Sequence, residues 1–144
     1  MNERNLNAYG TTLLRISLGI ILIAHSVYLK LVVFTLPGTA QFFGSLGLPA
    51  ELAYIVFAVE ALGGLALVLG IETRWVALVL LPVLAGATWA HLPSGWLFTN
   101  TGGGWEYPAF LTIAAAVQAL LGDGAWALRR SSSLGLVRSA VVAT

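Results

Sequence analysis

Six ionisable residues stand inside or at the ends of strongly apolar stretches: Arg15, His25, Lys30, Glu60, His91 and Glu106. A charge near the middle of a bilayer costs about 2.5 kcal/mol or more, so such groups persist by pairing, by facing other helices or by lining a wet cavity. Histidine and carboxylate side chains are common proton carriers in enzymes. Glu60, His25 and His91 are therefore the candidate catalytic groups. Arg15, Lys30, Asn100, Trp105 and Glu106 are the candidate ligand-binding groups, offering charge, hydrogen bonds or an aromatic face. A structural reading competes at Glu60, where an acid paired with Arg15 or His25 would simply hold two helices together. At Lys30, His91 and Glu106 the competing reading is interfacial placement, with the lysine stretched toward the headgroups. No short ligand spacing such as H-x-x-x-H occurs, so no metal site is predicted.

The elements that carry these residues follow from composition. Hydrophobic residues make up 58% of the 144, charged residues only 9%, and the mean hydropathy is +0.89. A soluble domain carries about 25% charged residues. A domain of this size also leaves much of its surface exposed, which such a sequence can tolerate only against lipid. The reading is an all-α, polytopic membrane four-helix bundle. Roughly 20 apolar residues cross the hydrocarbon as a helix. The spans fall at about residues 9–34, 52–70, 75–91 and 107–121, inside a membrane domain of residues 1–124. A polar cytoplasmic tail is predicted over residues 125–144, opening at Ser131-Ser132-Ser133. Residues 39–46 suit a short interfacial helix between Pro37-Gly38 and Gly47-Leu48-Pro49.

Orientation follows from the basic residues at the span ends. Arg4, Arg15, Arg74, Arg129, Arg130 and Arg138 gather on one side and Lys30 alone on the other, which predicts both termini in the cytoplasm. A net charge of +1 makes no case for nucleic acid. The absence of cysteine excludes disulfides, thiolate-held iron–sulfur clusters and thiol chemistry by this chain.

Helical spacing sharpens the picture. At about 100° per residue, Arg15, Gly19, Leu22, Ser26 and Lys30 share one stripe of the first span, with His25 beside it. Ala53, Phe57, Glu60, Gly64 and Leu67 form a stripe of the second, where Gly63 and Gly64 permit close backbone approach. If the spans alternate, His25, Lys30, His91 and Glu106 meet at the outer end, below Asn100 and Trp105.

Three segments carry a family resemblance: LLRISLGIILIAHSVYLKL (13–31), VEALGGLALVLGIETR (59–74) and HLPSGWLFTNTGGGWEYPAFL (91–111). In this order they resemble the DoxX family of small four-helix membrane proteins. The family usually has glycine after the first-helix histidine, where this chain has Ser26, also small. The resemblance implies a protein of the cell inner membrane that works as a subunit or companion of an oxidoreductase. In some relatives that is a thiosulfate:quinone oxidoreductase, so quinone is the carrier it suggests. On that reading Glu60, His25 and His91 relay protons, and Lys30 or a histidine bonds a quinone carbonyl. The alternatives are a non-catalytic membrane anchor for a partner protein and, ranked last, a small-solute transporter. Small residues in each span also permit a homo-oligomer.

Overall fold

The computed structural model describes residues 2–132. The last residues of the expected tail, and Arg138 of the charge count, lie outside the described residues. Helix α1 (Glu3–Ile23) runs without a break into a π-helical segment, Ala24–Val33. Four further helices follow: α2 (Leu36–Ser45), α3 (Leu52–Leu69), α4 (Thr73–His91) and α5 (Glu106–Leu121). Among the described residues there is no strand, only an isolated bridge between Ile71 and Arg129.

Three helical stretches are long and apolar enough to cross a membrane: Glu3–Val33, Leu52–Leu69 and Thr73–Ser94. The fourth expected span is the shorter apolar helix Glu106–Leu121. The protein is thus a multi-pass membrane protein of all-helical fold. Its sidedness of burial agrees with this. Leu13, Ile20, Leu62, Val79, Phe110 and Leu120 are more than half exposed, whereas Arg15, Glu60, Gln118 and Thr73 are buried. That pattern suits a lipid solvent, which favours apolar side chains outside and partnered polar ones inside.

The packing closes a ring, with α1 on α3, α3 on α4, α4 on α5 and α5 back on α1. The α1–α3 seam depends on two glycines. A Cβ on Gly19 would stand 2.6 Å from the carbonyl oxygen of Gly64, and one on Gly64 would stand 2.9 Å from that of Gly19. This contact sets the register of the antiparallel pair, as small residues do between membrane helices. At mid-depth the interior is apolar, built from Leu18, Leu22, Leu67, Leu80, Leu84 and Leu111.

Local signals end the elements where the site needs them. Asn2 caps α1 by accepting from the Arg4 N–H at 3.3 Å. Gly70, at φ +69°, closes α3, and the Ile71 N–H reaches back to the Ala66 carbonyl at 2.9 Å. That six-to-one bond satisfies a carbonyl left open by the helix end. Thr35 breaks the first span at φ +62° and ψ +155°, a conformation costing a β-branched residue about 1–3 kcal/mol. Its hydroxyl accepts from the Gly38 N–H at 3.2 Å and so starts α2.

Residues 125–132 do not stand away as a tail. They form a strap across the lower ends of α1, α3 and α4. The Leu128 N–H bonds Leu69 O at 3.2 Å, the Arg129 N–H bonds Gly70 O at 3.0 Å, and the Glu72 N–H bonds Arg129 O at 2.9 Å.

Candidate functional site

The intramembrane ion pair is Lys30 with Glu60. The lysine side chain is 20% exposed and the glutamate 5%. The structural alternative at Glu60 names Arg15 or His25 as its partner, and that at Lys30 stretches the lysine toward the headgroups; the structure pairs the two with each other. Two features of the fold redirect the lysine. Helical side chains lean toward the N-terminus of their own helix, which carries the long lysine stem back down the span. The π segment then sets its direction. Its bonds run five residues back, as from the Phe34 N–H to the Leu29 carbonyl at 2.8 Å. In an α-helix His25 and Lys30 would point about 140° apart. The wider π turn reduces that angle and brings them closer to one face.

His25 is half-buried and stacks on Tyr107 of α5, with centroids 5.7 Å apart. Its Nδ1 lies 2.9 Å from the Ile21 carbonyl. A carbonyl only accepts, so Nδ1 donates, and in the neutral ring Nε2 is left as an acceptor. His91 repeats the device, with Nδ1 2.7 Å from the Ala87 carbonyl. The Nε2 edge of His91 faces Gly103 of the following loop. Ser26 is fully buried and returns its hydroxyl proton to the Leu22 carbonyl at 2.7 Å.

The remaining upper residues hold the loop between α4 and α5. The Glu106 carboxylate accepts from the Phe98 N–H at 2.8 Å, and the Asn100 amide donates to the Ser94 carbonyl at 2.8 Å. Trp105 packs edge-on against Trp96 at 4.5 Å. Gly104 lies so close beneath Trp96 and Leu97 that any side chain would strike their carbonyls. The structure therefore brings Lys30 to Glu60 and His25 to Tyr107, while Glu106, Asn100 and Trp105 serve the loop. An apolar groove of about 390 Å³ lies between α3 and α4, lined by Val59, Leu62, Gly63, Val76, Val79 and Leu80; none of the candidate residues reaches it.

Arg15 belongs to the other end of the bundle. It is 1% exposed, passes over Gly70, and donates from Nη1 to the Asp123 carbonyl at 2.6 Å. Buried there, it reaches neither a lipid phosphate nor Glu60. Around it stands a polar network that sequence reasoning missed. The Asp123 carboxylate accepts from the Ser131 hydroxyl at 2.7 Å and from its N–H at 2.9 Å. Burial pushes the Asp123 carboxyl up, but the hydrogen bonds from Ser131 act against it, and the carboxyl is held below the usual value of 3.8. Arg74 donates from Nη1 to the carbonyls of Ala119 and Leu120, each at 3.0 Å. The Thr12 hydroxyl accepts from the Ala125 N–H at 2.7 Å, and the Gln118 amide donates to Gly122 O at 2.7 Å. Three buried atoms here, Arg15 Nε, Thr73 Oγ1 and Gln118 Oε1, have no hydrogen-bond partner among the described residues. The signal available in sequence was Gly122-Asp123-Gly124, an acid between two flexible residues just past a span.

Comparison with known proteins adds a family and one relative. The DoxX family model matches residues 10–92, which hold Arg15, His25, Lys30, Glu60 and His91. The chain is 43% identical over 79 residues to a Bacillus subtilis (strain 168) protein named "Putative oxidoreductase CatD". That match covers 54% of this chain and 56% of the relative, so the chain spans about half the length of the curated protein it matches. No solved structure matches the chain.

Proposed function

The chain belongs to the DoxX family, and from that premise we propose that it is a membrane subunit handling a quinone, or a similar amphipathic electron carrier, for a partner oxidoreductase. The observation that carries this reading is the Lys30–Glu60 pair, held inside the bundle by a π-helical turn. A purely structural bundle gains little from such a pair, because burying two charges costs as much as their attraction returns. π-Helical turns inside longer helices also occur often at functional sites. The relative's printed name supports an oxidoreductase setting.

Reduction of a quinone to a quinol takes two electrons and two protons. The Lys30 ammonium is a hydrogen-bond donor for a carbonyl oxygen. Glu60 and the His25 imidazole are acceptors and carriers for the protons, and His91 extends the path toward the loop. The chain has no cysteine to hold an iron–sulfur cluster, and on this reading the electrons come from a partner or the substrate. The proposed location is the cell inner membrane, with both termini in the cytoplasm.

The test is direct binding of a short-chain quinone to the purified protein in nanodiscs, read by quenching of tryptophan fluorescence. Saturable quenching is expected. Lys30→Met should weaken it by about tenfold, the loss of one good hydrogen bond. Absence of saturable quenching, or full affinity in both Lys30→Met and Glu60→Gln, would refute the proposal.

One observation favours a second reading, that of a membrane anchor. Glu106, Asn100 and Trp105 are all used to stiffen the loop between α4 and α5, as a docking surface requires. Co-purification of a stable partner whose activity ignores His25→Ala and Glu60→Gln would select it.

A further inference from the structure

We propose that the Lys30–Glu60 pair meets water from the α2 end of the bundle only, and that the strap end is closed to it by an apolar layer. This rests on the reading of the pair as the working site and adds the direction from which polar reactants reach it. Three observations converge on it.

The first is the register of α1 and α3. Gly19 touches Gly64 backbone to backbone. Arg15 lies one turn below that contact, and Glu60 one turn above it. The two charged groups are therefore separated by about eight residues of helix rise, or about 12 Å. The second is what fills that interval. Leu18, Leu22 and Leu67 are each no more than 3% exposed, and Leu80, Leu84 and Leu111 close the layer from α4 and α5. The third is how the buried polar side chains divide. Thr11, Thr12, Arg15 and Thr73 fall below the layer and Ser26, Thr39 and Glu60 above it, while Gln118, at the layer's lower edge, turns its amide down to the Gly122 carbonyl. Apolar contact of this kind offers no partners to a chain of waters.

Above the layer the surroundings differ. The Lys30 stem descends from the end of the span where α2 begins, and its side chain is more exposed than that of Glu60. Thr39 of α2 packs there, its hydroxyl 3.4 Å from the Lys30 carbonyl. α2 itself carries no ionisable side chain. The other ionisable groups of this half are His25 and Tyr28 on the π segment, Glu51 and Tyr54 at the start of α3, Glu106 and Tyr107 on α5, and His91 on α4. Charged or hydrogen-bonding reactants thus approach the pair between α2, α3 and the π segment.

The sequence supplies a clean test, because Lys30 is the only lysine in the chain and there is no cysteine. Arg4→Lys places a second amine on the exposed first turn of α1, at the strap end. The chain, with its α-amino group acetylated, is reconstituted in sealed vesicles and treated from outside with a membrane-impermeant amine-reactive ester. Intact-mass measurement should show chains modified at position 4 or at position 30 but never at both. Permeabilising the vesicles should add the second modification to each chain. Chains doubly modified in sealed vesicles would overturn the proposal, as would a Lys30 that stays unmodified after permeabilisation. Lys30→Cys in the otherwise cysteine-free chain, probed with an impermeant maleimide, repeats the measurement without the ion pair. It should label from the face opposite position 4, and labelling from the strap face would overturn the proposal equally. Both readouts report access and not turnover, so the quinone reading and this one can fail separately.

Discussion

The two ends of this bundle handle buried charge in different ways. At the strap end Arg15 and Arg74 spend their guanidinium groups on backbone carbonyls, and Asp123 spends its carboxylate on Ser131. With the backbone bonds of the strap, they tie the chain after α5 to α1, α3 and α4 and hold α4 to α5. They do what a fold needs where helices stop and carbonyls are left open. At the α2 end the charges bond each other across two helices, and both histidines keep an Nε2 that no described residue occupies. The first arrangement is consumed by architecture, whereas the second holds proton carriers and a hydrogen-bond donor that architecture does not use. Residue type alone does not separate them, since each end has a base and an acid.

Substitutions at the two ends should therefore part company. The largest effect is expected from Glu60→Ala, which strands the Lys30 ammonium inside the bundle; loss of a buried partner costs about 3–5 kcal/mol. Equilibrium unfolding in mixed micelles measures it. The double replacement Lys30→Met with Glu60→Leu should recover most of that stability and still abolish quinone quenching. If quenching survives in the double variant, the two ends are alike and both are structural.

Arg15→Met comes next. It removes a charged hydrogen bond at the strap end and should cost about 1.5–3 kcal/mol in the same unfolding measurement, with quinone affinity unchanged. A fall in affinity here would erase the contrast between the ends.

The strap also predicts a pH dependence. The Asp123 carboxyl binds its proton more weakly folded than unfolded. Its contribution is therefore complete above the ordinary carboxylate range and lost as pH falls through the lowered folded value. Stability measured from about pH 6 downward should decline below about pH 4, and Asp123→Asn should flatten the part of that decline due to this group. The smallest effect belongs to the exposed pair of Arg129 with Glu72 at 2.9 Å, where the arginine is 75% exposed. Arg129→Ala should cost no more than about 1 kcal/mol, and less in high salt.

Much of the fold was legible before any coordinates. The expected spans at 52–70, 75–91 and 107–121 agree with α3, α4 and α5 to within two residues. The interfacial stretch at 39–46 became α2, three residues earlier at its start, because Thr35 supplies the cap. The candidate site was less legible. Its residue types were visible, as were the close-packing glycines Gly63 and Gly64. Its partnerships were not. The stripe that ends at Lys30 does face α3, but a stripe does not say how far the lysine stem reaches along the helix or that Ala24–Val33 is π-helical. Arg15 looked like a member of the same site because it shares that stripe, yet depth along the helix sets it apart.

The sequence by itself determined that this chain lives in a membrane, how many helices it forms and where they turn. Bilayer thickness and backbone hydrogen bonding impose those features residue by residue, and hydropathy records them directly. Only the tertiary structure decided that Lys30 meets Glu60, that Arg15 meets the Asp123 turn and that a leucine layer parts them. Each of those contacts joins segments distant in the chain, and depends on the depth at which Gly19 meets Gly64 and on the π-helical turn, neither of which a single helix's pattern encodes.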